Sequence, residues 1–115
     1  MNKGKKVMLD EAVNATPATI TELITFQQSG ITSRTLIESA ATTVTLFGFA
    51  AGQALSEHTT PFYALVQVVE GELEIRLGGD AHMVKAGQVL VMPPDVPHAL
   101  RAHEKSIMIL TMAKK

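Results

Sequence analysis

GQALSEHTTPFYALVQVVEG (residues 52–71) runs into ELEIRLGGDAHMVK (72–85) and then into GQVLVMPPDVPHAL (87–100). In each stretch a short run of Val, Leu, Ile and aromatic residues ends at a Gly or Pro break, which is how strands joined by tight turns read. Phe62 to Val69 is one strand. Glu72 to Leu77 alternates polar and apolar residues, so Leu73, Ile75 and Leu77 share a face. Gly78-Gly79 is a two-residue hairpin signal, after which Ala81 to Lys85 pairs back. Gly87 turns the chain into Gln88 to Met92, and Pro93, Pro94 and Pro97 stiffen the loop that leads to His98.

Outward from this centre the same grammar continues. Upstream, Ser33 to Ser39, Thr42 to Phe49 and Ala54 to His58 read as strands; downstream, His98 to His103 and Ser106 to Thr111 do. That makes about nine short strands with turn signals roughly every 8–12 residues, the spacing of an antiparallel all-β sandwich or barrel. No helical period is sustained, and there is no repeat or low-complexity tract. The first residues differ: they are charged, then read AVNATPATI, with Pro17 as a break. The expected organisation is an N-terminal segment over 1–19, poorly ordered or packed in a dimer, and one barrel domain over 20–115.

With 115 residues, 46% hydrophobic and 18% charged, the chain fits a single globular domain. A formal net charge of −1, with basic clustering confined to Lys3, Lys5, Lys6, Lys114 and Lys115, argues against a nucleic-acid partner. The absence of cysteine excludes disulfides and thiolate metal sites. No run approaches the ~20 apolar residues of a membrane helix. The opening MNKGKKVMLDEAV is broken by Asp10 and Glu11, unlike a signal peptide, so a cytoplasmic protein is expected.

The glycine, proline and histidine spacing carries a more specific pattern. Five residues separate Gly52 from His58, Gly71 lies thirteen further on, five separate Gly87 from Pro93, and His98 comes five after Pro93. This resembles the two cupin motifs, G-x5-H-x-H-x3–4-E-x6-G and G-x5-P-x-G-x2-H-x3-N, over residues from about 40 to 112. The resemblance implies an antiparallel double-stranded β-helix, or jelly-roll barrel, with metal ligands at four motif positions. Here only His58 and His98 remain. Thr60 stands in place of the second histidine, Ala64 of the glutamate, Asp95 of the second-motif glycine and Ala102 of the asparagine. The cofactor implied is a divalent transition metal (Zn, Ni, Fe or Mn) on His58 and His98, an incomplete set against the three or more protein ligands such ions take.

Strand alternation sketches the pocket. If His58 points inward, so do Ser56 and Thr60. If His98 points inward, Leu100 and Ala102 follow, while Arg101 and His103 point out. Ala64, Val66 and Val68 share the inner face, with Gln67 outside. The expected pocket residues are therefore Ser56, Thr60, Ala64, Val66, Met92 and Leu100 around the two imidazoles. Met83, Met92, Met108 and Met112 read as adaptable core that can shape a pocket for an apolar or aromatic ligand. Without a metal, His58 and His98 remain candidate catalytic residues, as general bases or as hydrogen-bond donors to an anion. Ser56 or Thr60 is placed to orient His58, and Asp95 to approach His98 from the rim.

Two functions follow. The first is a small-molecule-binding barrel of unassigned substrate. The alternative is a metal-dependent enzyme of dioxygenase, decarboxylase or sugar-acid isomerase type acting on a small organic acid or sugar. Outer-face apolar residues need covering, and the cupin resemblance implies a homodimer, with the segment near Ile20 to Ser39 at its interface.

Overall fold

The computed structural model describes residues 6–26 and 28–114; the lysines at 3, 5 and 115 lie outside them. Ten strands form two antiparallel sheets. They are β1 (Met8–Leu9), β2 (Ile31–Glu38), β3 (Thr42–Phe49), β4 (Ala54–His58), β5 (Tyr63–Glu70), β6 (Glu72–Leu77), β7 (Asp80–Lys85), β8 (Val89–Met92), β9 (His98–Ala102) and β10 (Ser106–Ala113). One sheet runs β1-β2-β3-β10-β5-β8 and the other β4-β9-β6-β7. Face to face they make a jelly-roll barrel.

Alternation drives the closure. On β5, Ala64, Val66 and Val68 are buried, while Tyr63 is exposed and Leu65 and Gln67 sit on the outer face. On β6, Leu73 and Ile75 are fully buried. These side chains meet Phe49, Met92, Leu100, Ala102 and Met108 in one core between the sheets. At the β6–β7 hairpin Gly78 and Gly79 both take positive φ, as a two-residue turn matching strand twist requires. Gly71 has φ 80°, and an added Cβ there would run into the Lys105 carbonyl and Ser106. The Ser106 hydroxyl in turn accepts from the Glu72 amide at 3.1 Å and donates to the Glu104 carbonyl at 2.8 Å, tying β6 to the start of β10.

Part of the segment set apart from the barrel in the sequence reading, Met8 to Asp10, joins it. β1 pairs with β2, and the Asp10 carboxylate then pairs with the Arg34 guanidinium, which also donates to the Leu23 carbonyl at 3.1 Å. That guanidinium first, and the Ala12 amide second, lower the Asp10 pKa. The apolar side chains after Pro17 are covered within their own chain. A short helix α1 (Ile20–Leu23) and the residues after it lay Ile20, Leu23, Ile24 and Phe26 over Leu46, Ile107, Val69 and Ile109. Gly48 lies directly beneath Ile24, where no larger side chain fits. This packing leaves other residues exposed on the six-stranded sheet: Tyr63, Val89 and Val91 near the β8 edge, and Met8, Leu9 and Ile37 at the β1 end. Among the described residues no helix is long and apolar enough to cross a membrane.

Candidate functional site

β4 ends at His58 and β9 begins at His98, and the two residues are register partners. Their rings meet edge to face, with centroids 4.2 Å apart, planes inclined at 71° and the two Nε2 atoms 3.0 Å apart. Each Nδ1 faces the carbonyl two residues earlier in the chain: His58 that of Ser56 at 2.8 Å, and His98 that of Val96 at 3.2 Å. His98 is only 2% exposed, whereas His58 sits in the open.

The proton count follows from the partners. A carbonyl oxygen only accepts, so each Nδ1 must carry a proton. The Nε2 contact needs a third, shared between the rings. Three protons on two imidazoles make one positive charge; with two protons the pair is neutral and one of the three contacts is lost. Burial first, and the neighbouring His58 second, hold the His98 pKa below the ordinary histidine value against the opposing pull of the Val96 carbonyl.

Beneath the pair lies a cavity of about 250 Å³. Its polar side chains are His58, His98 and Thr60; Met92, Met108 and Met112 supply three thioethers; Leu55, Ala64, Leu100 and Leu110 complete the wall. On the six-stranded sheet, Met112, Ala64 and Met92 stand side by side across β10, β5 and β8. Among the described residues no acidic side chain lines the cavity.

A bulge corrects the inward set expected on β4. Register shifts between Leu55 and His58, so both face the cavity although three positions apart. Ser56 is thereby turned outward. It is exposed and lines a shallow concavity of about 400 Å³ on the outer face of the four-stranded sheet, near Arg76, Arg101 and His103. Ser56 meets His58 through its carbonyl, not its hydroxyl. Thr60 lines the cavity as expected by position, and its carbonyl accepts from the Asp95 amide at 2.8 Å. Asp95 thus reaches the site through its backbone; its φ of 63° keeps the left-handed geometry that suits the motif glycine it replaces.

Ala64, Met92 and Leu100 line the cavity. Val66 shares their inward direction but is sealed in the core behind the wall. Met83, expected in the core, is 45% exposed because its position on β7 faces outward. His82 is exposed, and His103 binds Glu74 on the outer face at 2.7 Å. That bond first, and the charges of Arg76 and Arg101 after it, lower the Glu74 pKa. Leu55 and Leu110 were absent from the expected pocket. The Met108, Leu110, Met112 alternation would have found Leu110; nothing in the sequence announces the bulge that turns Leu55 inward.

The model of the AraC-like ligand-binding domain matches residues 44–109, more than half of the chain. The chain belongs to that family, within the cupin superfamily. A conserved protein of unknown function from Streptococcus pyogenes is 31% identical, with a TM-score of 0.87 over 93% of this chain and 94% of that one. A cupin superfamily protein from Desulfitobacterium hafniense, 22% identical, shares the fold at a TM-score of 0.87, over 94% of this chain and 99% of its own. Polyketide synthase CurC of Streptomyces cyaneus is 41% identical over 51 residues, 44% of this chain and 33% of that protein. This chain therefore aligns with about a third of that relative's length.

In this cupin the four positions that the motif resemblance assigns to metal ligands hold His58, Thr60, Ala64 and His98. Among the described residues no three His, Cys, Asp or Glu side chains are grouped closely enough to hold an ion. Two imidazoles fall short of the three or four protein ligands of a dedicated site. The residues present do not fit a resident metal.

Proposed function

We propose that the protein is a small-molecule-binding cupin whose cavity takes a compact, largely apolar acid, with its ionised oxygen at the His58–His98 pair. The observation that carries this reading is the set of three contacts around the two rings. Both Nδ1 atoms are held on backbone carbonyls, so an Nε2 bears hydrogen only when the pair takes up one more proton, and among the described residues no acidic side chain lines the cavity to favour that uptake. An acid guest brings the proton, and its carboxylate accepts the resulting N–H in a charge-assisted hydrogen bond. The size agrees. About 250 Å³ lies near the lower end of ligand pockets, and roughly 150 Å³ suffices for benzene.

Isothermal titration calorimetry of untagged protein with small carboxylic acids and their matched alcohols tests the reading. Acids are expected to bind about tenfold or more tightly than the alcohols, from the stronger hydrogen bond to a charged group. His98→Gln is expected to erase the difference; equal binding of acid and alcohol refutes the reading. Elemental analysis of the same protein completes the test, because a stoichiometric metal lost in His58→Ala would replace it with that of a metal-dependent cupin enzyme.

The β8 edge is the face offered to a homodimer partner, in place of the segment near Ile20 to Ser39, whose apolar side chains Ile20, Leu23, Ile24 and Phe26 pack within the chain. Val89–Met92 is an edge strand without lysine or proline, the usual protections against pairing. Val89 and Val91 are 61% and 49% exposed beside Tyr63. A second copy of the chain covers this face.

A further inference from the structure

Three of the chain's six methionines line the one cavity under the histidine pair. Two of them, Met112 and Met92, flank Ala64 on neighbouring strands. Strands lie about 4.8 Å apart, so the backbones of the two methionines stand roughly 10 Å apart. Ala64, a single methyl group, lies between them at the cavity wall. The thioethers border the cavity across from the row on the opposite sheet that holds His58 and His98. Sulfur is polarisable and makes favourable contacts with aromatic rings, often at the ring edge. Leucines in the same places would fill space equally well without that preference.

We infer that the guest is a single planar aromatic ring bearing an ionised oxygen, held in the cavity with its edge toward the thioethers of Met92, Met108 and Met112. This rests on the proposal that the cavity binds an acid, and it adds the ring. The ring lies among the methionines, and its carboxylate accepts a hydrogen bond from an Nε2–H of the histidine pair.

The test uses the full chain labelled with ¹³C at the methionine methyls, titrated with benzoate, cyclohexanecarboxylate and benzyl alcohol. Met92, Met108 and Met112 report from the cavity, and the exposed Met83 serves as the internal control. Benzoate is expected to move the three cavity methyls and leave Met83 in place. It is expected to bind about fivefold more tightly than cyclohexanecarboxylate, the scale of one or two sulfur–ring contacts. A Met92→Leu/Met112→Leu double variant, close to volume-conserving, should bind cyclohexanecarboxylate as before and lose most of the preference for benzoate. Equal binding of benzoate and cyclohexanecarboxylate, with the cavity methyls moving in both, overturns the ring and leaves the acid-binding reading standing. Equal binding of benzyl alcohol and benzoate overturns both, as does a titration in which none of the three probes moves a cavity methyl.

Discussion

Ala64→Leu should make the protein less stable. Ala64 is 1% exposed and stands between Met92 and Met112 on the neighbouring strands, so its methyl group is already covered at the cavity wall. Leucine adds three carbons that must displace those neighbours, and overpacking of this kind costs about 1–3 kcal/mol. Met92 and Met112 are flexible and yield part of the space, which keeps the cost at about 1.5 kcal/mol. At about 4 °C for each kcal/mol in a domain near this size, Tm falls by about 6 °C. Differential scanning calorimetry without added ligand measures the shift, and titration with benzoate shows whether the displaced methionines weaken binding. A raised Tm with the native circular dichroism spectrum would mean that open space borders Ala64, and it refutes the reasoning.

Three further outcomes are expected. Because the folded His98 pKa lies below its unfolded value of 6.5, the two states bind protons equally above that value, and only the unfolded chain takes one up as pH falls below it. Stability therefore declines as pH drops through about 6.5 toward the folded pKa and levels off beneath it; urea midpoints between about pH 7.5 and 5.5 should show the decline, and His98→Gln should remove it. Gly71→Ala should cost about 2 kcal/mol or more in urea unfolding, from the left-handed backbone together with the clash on Lys105 and Ser106. Gly52→Ala, with φ 84° and open space around it, should cost only about 1 kcal/mol, and equal losses would dismiss the steric part. Light scattering coupled to size exclusion should find a dimer that Val89→Lys/Val91→Lys converts to monomer; a monomeric parent chain sinks the β8 interface.

The strands were legible because their signal is local. Thr42 to Phe49, Ala54 to His58 and Glu72 to Leu77 have the ends expected from their breaks, since a Gly, a Pro or a change in alternation marks each boundary. The meeting of His58 with His98 was legible only through motif spacing, because forty positions of chain separate the two. Ser56 and Leu55 exchanged roles for a reason that alternation cannot carry. A bulge is an extra residue in the ladder, and ALSEH reads equally well with or without one. β1 and α1 were missed because each is too short to show a period. Their places are set by contacts far along the chain, Asp10 on Arg34 and Ile24 on Gly48, which composition does not encode.

The same position governs both the charge and the shape of the site. A carboxylate at position 64, which the cupin motif carries, would stand at the cavity wall between Met92 and Met112 as a built-in counter-ion. Alanine there removes the charge and leaves the thioethers. The imidazole pair keeps its geometry regardless, since its Nδ1 atoms are anchored on the backbone carbonyls of Ser56 and Val96 rather than on any side chain. What remains is a fixed pair of rings above a wall of thioethers and aliphatic side chains, with no carboxylate among the residues that line it. Thr60 in place of the second motif histidine pushes the same way, because a hydroxyl can accept or donate a hydrogen bond to a guest but brings no charge. An acid of one ring meets both demands, whereas a neutral ring meets only the shape and a small inorganic anion only the charge.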